Sequence, residues 1–263
     1  MVKRKEIPTI EIDSWNEFEK RVSRHQHRQW IYRGQADSKW LLESSYHRFC
    51  DYVKSIRRRS PTKNDHEKVL LSRFKHYAQL YLDRIPSKDA EWLALMQHHG
   101  TPTRLLDWSF SPYIAAYFAV ETGQSNFSIY CMNHEAFALM DAEYFNGEDF
   151  KKIKVDFLNY RDRSKSFIFA YEPAFKHKRL VAQQALFTVP STNYVSYNEI
   201  LKDYDLSSTF LKIVIPAKLR CEWIKKLSRM NINAATLFPD LDGFCRSIKF
   251  DLLYPATKLK DIN

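Results

Sequence analysis

Glycine is scarce in this chain, with only 5 in 263 residues. Neither glycine-rich phosphate loop, GxxxxGK(S/T) or GxGxxG, can be built from them, which excludes the common nucleotide cradles. The GxSxG turn of the α/β-hydrolases is missing as well. The four cysteines, Cys50, Cys131, Cys221 and Cys245, show neither CxxC spacing nor a paired pattern with histidine. They read as isolated thiols of a reducing compartment, with no support for a nucleophilic cysteine from neighbouring residues. No window approaches eighteen apolar residues, so a membrane span is excluded. The segment Met1–Pro8 starts basic but has no apolar core, unlike a secretory signal. A cytoplasmic location is expected.

Acidic residues are also in deficit. Lys and Arg number 41 against 31 Asp and Glu, a net charge of +10. Such a surplus favours polyanionic partners, among them nucleic acid, nucleotides and acidic proteins. Hydrophobic residues make up 44% and aromatics 15%, enough for a sizeable core. No repeat, low-complexity tract or shift of composition marks a linker. The expectation is one α+β domain over residues 1–263, its helical N-terminal half packed on a largely β second half.

Local signals place the elements. Ser14-Trp15-Asn16-Glu17 is a capping box, and Trp15, Phe18 and Val22 follow at helical spacing. Gln29–Tyr32 reads as a strand. Leu70, Phe74, Tyr77 and Tyr81 fit one face of a helix from His66 to Leu82, and a second helix runs from about Ser87 to Gln97. Ser111-Pro112 is an N-cap followed by proline in the first turn. The run Ile114–Val120 is apolar almost all round, as in a buried helix, and its alanines allow close packing on a sheet. Short β runs follow at Phe127–Met132, Phe167–Ala170, Ala185–Val189 and Phe210–Ile215. Helices are expected over Pro216–Met230 and Pro239–Leu252. Arg57-Arg58-Arg59-Ser60-Pro61 reads as an exposed basic loop.

Two polar clusters stand out. Trp30-Ile31-Tyr32-Arg33-Gly34-Gln35 ends an apolar strand in an arginine, with a glycine that admits a ligand to the backbone, an arrangement suited to anions. Gln97-His98-His99-Gly100-Thr101-Pro102-Thr103-Arg104-Leu105-Leu106-Asp107-Trp108-Ser109 concentrates imidazoles, a guanidinium and a carboxylate in one connection. His99 either lines a pocket or caps a helix end, and His98 has the weaker claim to the pocket. Arg104 either joins the site or pairs with Asp107 or a carbonyl. Trp108 either stacks on a ring or belongs to the core. Adjacent loop histidines lack the geometry of a helix-borne zinc site, so no metal is expected. With Arg179 and Gln183-Gln184 further on, the set suits a ligand carrying phosphates, ribose hydroxyls and a flat ring, such as NAD.

Tyr32–Gln35, Gln97–Ser109 with Ser111-Pro112 and Ala115–Ala119, Arg179–Phe187 and Leu237–Gly243 together resemble the FRG domain family, over roughly residues 29–250. The resemblance implies a motif order similar to that of ADP-ribosyltransferases, with a split β-sheet core. It implies NAD as substrate and, in bacterial anti-phage settings, a toxin–antitoxin role. Arg33 would then bind the NAD phosphates or nicotinamide ribose, and Ser109 and Ser111 would shape the nicotinamide pocket. Tyr32, Gly34, Gln35, His99, Thr103, Arg104 and Trp108 would complete the binding site. No Glu stands in the third motif, where Gln183 and Gln184 occupy the expected strand and Ala185 replaces a usual Gly. Asp107 would supply the missing carboxylate, with Glu43 or Glu172 as lesser choices. The function implied is ADP-ribosyl transfer from NAD to a nucleic-acid acceptor, RNA or DNA, held in check by an antitoxin protein. The alternatives are a non-catalytic module sensing a nucleotide or phage protein, and a nuclease using His99 and Asp107.

Overall fold

The computed structural model describes residues 6–57, 63–145, 147–159, 166–174 and 178–250. In chain order come β1 (Thr9–Glu11), α1 (Trp15–Val22), β2 (Trp30–Gln35), α2 (Ser45–Arg57), α3 (Lys63–Ala78) and α4 (Asp89–His98). The strand β3 (Leu106–Ser109) runs into α5 (Pro112–Val120), and β4 (Phe127–Asn133) into α6 (His134–Phe145) and α7 (Gly147–Val155). Then follow β5 (Ile168–Tyr171), α8 (Lys178–Ala182), β6 (Ala185–Pro190), α9 (Tyr197–Leu201) and β7 (Phe210–Ile215). The helices α10 (Arg220–Arg229), α11 (Ala234–Leu237) and α12 (Leu241–Ile248) complete the described part.

Helix and strand alternate along the chain, which corrects the expected division into a helical first half and a β second half. Two of the strands flanking the site, β2 and β3, lie in the first half, and α6 and α7 fill a stretch of the second that the periodicity left unassigned. Of α6 only Phe137 and Asp141 are buried, too sparse a stripe to announce a helix. The helix expected over His66–Leu82 ends at Ala78 and tightens into a 3-10 turn at Gln79–Tyr81. The capping readings agree with the structure: Ser14 Oγ accepts from the amide of Glu17 and Ser111 Oγ from that of Ile114, each at 3.3 Å.

All seven strands lie in one mixed sheet, ordered β1-β7-β4-β2-β3-β6-β5. Only the β1–β7 pair is parallel. The three-residue β1, absent from the sequence reading, is recruited by that pairing rather than by its own pattern. One junction is unlike the others. Full ladders join β4 to β2 and β3 to β6, whereas β2 and β3 pair at a single position, Tyr32 with Ser109. Beyond that pair the C-terminal half of β2 and the start of β3 part company.

Side-chain alternation assigns the two faces. Phe127, Ile129 and Cys131 of β4 join α1, α5 and α10 in one core, while Tyr130 and Met132 face a second core with Phe137, Tyr197 and Tyr204. A third core, under α3 and α4, takes Phe169 of β5 and Ala185, Phe187 and Val189 of β6. The first and third cores cover the two halves of the sheet on either side of the parted strands.

Helix α5 lies on β2 so closely that a Cβ at Gly34 would stand 1.9 Å from the Ala115 carbonyl oxygen and 2.7 Å from the Ala119 amide nitrogen. The glycine therefore serves helix–sheet packing, a need the sequence alone did not show. Nor does Arg33 end its strand: β2 continues through Gln35, with Arg33 opposite Tyr130 and Gln35 opposite Ser128.

Candidate functional site

The gap between β2 and β3 opens into a cleft of about 750 Å³, within the range of small-molecule sites. Arg33, Gly34 and Gln35 of β2 and Asp107, Trp108 and Ser109 of β3 form its floor. One wall comes from α5, through Ala115 and Phe118, and the other from Gln97 and His98 of α4 with Arg179, Leu180 and Gln183 around α8. The segment Ala36–Glu43 and Arg48 of α2 complete the rim.

Arg33 bridges the parted strands. Its Nη1 donates to the Asp107 carbonyl oxygen at 2.7 Å and stands 3.9 Å from the Asp107 carboxylate. The arginine side chain is 19% exposed and the aspartate 62%, so a largely desolvated cation holds a carboxylate that faces the cleft. Burial is the main influence on the guanidinium, lowering its pKa; Asp107 opposes that and Arg48 adds to it. Among the described residues its buried Nε finds no hydrogen-bond acceptor, and the buried Gln35 Oε1 two residues on finds no donor. A desolvated guanidinium with an unmet donor can take an anion.

Four further groups lining the cleft carry or can carry positive charge: Lys39, Arg48, Arg179 and His98, against Asp107 and Glu43 as carboxylates. Arg48 is fixed by donating to the Glu43 carbonyl oxygen at 2.6 Å. Arg179 lies over the Phe238 ring, 4.4 Å from its centroid, with Arg246 against the same ring at 4.0 Å. Arg246 is neutralised by Glu121 at 2.6 Å, while Arg179 makes no such ion pair among the described residues. Its pKa is lowered chiefly by burial, with Asp107 the leading opposing influence. His98 is also shifted down by burial, then by His99 and Arg179.

The cleft thus gathers Tyr32, Arg33, Gly34, Gln35, Asp107, Trp108, Ser109 and Gln183 from among the residues the sequence suggested. Several of these have structural duties. Tyr32 is buried with its hydroxyl 3.0 Å from His25 Nδ1. Trp108 donates to Thr188 Oγ1 at 2.7 Å and packs edge-on to Phe210 in the second core, so its ring is not offered to a ligand. Ser109 Oγ donates to the Gln183 carbonyl oxygen at 2.8 Å, and Gln183 Nε2 to that of Leu237 at 3.1 Å.

Other suggested residues lie elsewhere. Arg104 does not pair with Asp107: it is sealed against Glu67 of α3, also donating to the carbonyls of Pro190 and Ser191. Thr103 is fully buried and donates to Gln97 Oε1. Ser111 caps α5. Gln184, with φ 46°, forms the left-handed turn into β6 rather than part of the strand, and its carbonyl accepts from Phe110. His99 lines a separate apolar groove with Phe74, Tyr77 and Tyr81, so the histidine at the cleft is His98. Glu172 is held by Arg28 at 3.0 Å, outside the cleft, whereas Glu43 lines it. Of the basic stretches, residues 58–61 and 176–177 fall outside the described residues. Sequence reasoning missed Lys39, Trp40, Phe118 and Phe187 as site residues; the exposed Lys39-Trp40-Leu41 run after the Asp37 turn was the one local signal. Among the described residues no cluster of three or more His, Cys, Asp or Glu side chains is placed to hold a metal ion.

Residues 28–127 match the FRG domain. The matched FRG segment begins just before β2 and ends at the first residue of β4, so it carries Arg33, Arg48, Asp107 and the α5 packing around Gly34. Arg179 and Gln183 lie beyond it, as does the Leu237–Gly243 motif, so the match covers the floor, the rim, the α5 wall and the α4 part of the other wall. No curated protein and no solved structure matches the chain. No described helix is long and apolar enough to cross a membrane.

Proposed function

We propose that the cleft binds NAD and transfers its ADP-ribosyl group to an acceptor. The observation that carries this reading is the exposed carboxylate of Asp107, held 3.9 Å from the desolvated Arg33 on the floor of a cationic cleft. Arginine forks suit a pyrophosphate, and Arg33 and Arg179 flank Asp107 for that purpose. In glycosyl transfer the bond between ribose C1′ and the nicotinamide nitrogen breaks, its electron pair leaving with neutral nicotinamide. The ribose becomes oxocarbenium-like, and a fixed anion beside it lowers the barrier. On this reading Asp107 is that anion. The acceptor oxygen or nitrogen then bonds to C1′ and releases a proton, which His98 on the cleft wall can accept.

The hydrogen bond of Gln183 to Leu237 favours a second reading, because the side chain in the third motif is already engaged in holding α11. On that reading the cleft senses a nucleotide without turnover. Calorimetry with NAD, followed by chromatographic detection of nicotinamide, separates the two. The transfer reading expects binding and nicotinamide release, both lost in Arg33→Ala. Binding without release after long incubation supports the sensor, and no binding by the intact protein overturns both.

A further inference from the structure

The cleft does not stop at its rim. Trp40 and Leu41 line it while remaining 55% and 60% exposed. Their backbone is pinned: Tyr130 Oη donates to the Trp40 carbonyl oxygen at 3.2 Å, and Gln35 Nε2 to that of Leu41 at 3.2 Å. A tryptophan anchored at the mouth of a cleft yet left open to water is a costly surface unless something flat covers it.

The feature continues along α2. Arg48 lines the cleft, and one turn further Tyr52 is 61% exposed, with Phe49 at 41% and Ile56 at 62%. Positions four apart are neighbours on a helix, so Arg48, Tyr52 and Ile56 form one row leading away from the cleft. The helix ends at Arg57, the first of three consecutive arginines in the sequence. From Arg48 to Arg57 the helix spans about 13 Å. Lys39 stands beside Trp40 at the head of a short track of exposed rings, with Arg48 and Lys54 along it.

We propose that this track, from Lys39-Trp40 along Arg48, Phe49 and Tyr52, is a binding surface for single-stranded nucleic acid. Bases stack on Trp40 and Tyr52, and phosphates run beside the lysines and arginines. Stacking on an aromatic ring accepts any base, while the phosphates supply the salt-dependent part of affinity. A protein partner is the poorer fit, because the apolar rings are interrupted by the charges of Arg48, Asp51 and Lys54 that it would have to desolvate, and the chain carries a surplus of +10. A strand lying here delivers its leading nucleotide to the rim of the cleft. Its use as acceptor rests on the transfer reading above; its binding does not.

The test is fluorescence anisotropy of a labelled twelve-nucleotide oligouridylate with the full chain at about 50 mM salt, without NAD. The expected result is saturable binding that weakens steeply with salt and exceeds that of a duplex of equal length. Trp40→Ala and Tyr52→Ala, both at exposed positions, are each expected to weaken binding by about 5- to 100-fold, and Arg48→Gln to reduce the salt slope by about one ion. Undiminished binding in both aromatic variants overturns the proposal, as does preference for duplex. So does self-association in sedimentation that Tyr52→Ala abolishes, since the face would then belong to a second copy. Because NAD is absent, an oligonucleotide that binds while nicotinamide release fails condemns the transfer reading alone.

Discussion

The carboxylate of Glu67 on α3 receives both Nε and Nη2 of Arg104, and neither side chain reaches solvent. Asn193 Nδ2 adds a donor to the same carboxylate at 2.8 Å, and the Phe157 ring lies 5.2 Å from the guanidinium. The pair joins α3, the entry to β3 and the exit of β6, so it holds the strand that presents Asp107.

Glu67→Gln keeps the volume and removes the charge, leaving Arg104 buried without compensation. The expected cost is about 3–5 kcal/mol of unfolding free energy, far more than a surface pair would show. Urea unfolding followed by circular dichroism measures it. A loss under about 1 kcal/mol would mean that water already reaches the pair.

Gly34→Ala tests the seating of α5 on β2. The added methyl meets backbone atoms, the Ala115 oxygen at 1.9 Å and the Ala119 nitrogen at 2.7 Å, which no rotamer change relieves. Overpacking by one carbon costs about 1–3 kcal/mol where side chains can move, and the upper end or beyond is expected here. The midpoint of urea unfolding reads the effect. An unchanged midpoint would show that α5 shifts freely.

These two positions also show what the sequence disclosed and what it withheld. The serine caps, the alanine-lined α5 and most strand cores follow from local chemistry, so they were legible as they stood. That Arg33 and Asp107 share one cleft was also legible in part, because an arginine in an apolar strand and a carboxylate in a polar connection are locally anomalous. The partner of Arg104 was not: Glu67 lies 37 positions away, and the nearer Asp107 offered the obvious alternative. Gly34 carried a genuine signal whose cause was hidden, since only the docked helix shows that packing requires it. The neighbours His98 and His99 sit at the end of α4 facing different cavities, a distinction set by helix phase at the C-cap. Arg179 gains its place from Phe238 and Arg246, which are distant in sequence.

His25 makes stability depend on pH. Its ring stacks on Trp30 at 3.9 Å, and burial, aided by Arg21, brings its pKa from 6.5 down to about 4. Above pH 6.5 the imidazole is neutral in both folded and unfolded chains, and its contribution is complete. Between 6.5 and about 4 the unfolded chain takes up the proton first, so stability falls with pH and then levels off. Allowing for partial exposure, the loss is on the order of 1–2 kcal/mol. In His25→Gln the part of the acid decline between those limits should shrink by that amount, as seen in urea midpoints at pH 7 and 4.5. An identical decline would assign it to other groups.

Arg179 is expected to bind phosphate rather than support the fold, since it rests on Phe238 with no ion pair among the described residues while its neighbour Arg246 has Glu121. Arg179→Gln should weaken ADP-ribose binding by about 10- to 100-fold, the worth of one charged hydrogen bond. Its unfolding midpoint should stay close to that of the parent. Phe238→Leu, which removes the platform but not the charge, should weaken binding by a smaller factor. Equal affinity in Arg179→Gln would take this arginine out of the site.

Asp107→Asn separates binding from chemistry. The Arg33 hydrogen bond goes to the backbone oxygen of residue 107, so it survives the substitution, and the side chain is too exposed to matter much for folding. On the transfer reading the variant retains NAD affinity within a few-fold, because losing the carboxylate leaves Arg33 freer for phosphate. Nicotinamide release should drop by about 100- to 1000-fold, since the ribosyl cation has lost its counter-charge. Single-turnover release and calorimetry on the same preparation give the two numbers. Parallel loss of both would make Asp107 a binding group, and undiminished release would place the catalytic carboxylate elsewhere, with Glu43 the next to substitute.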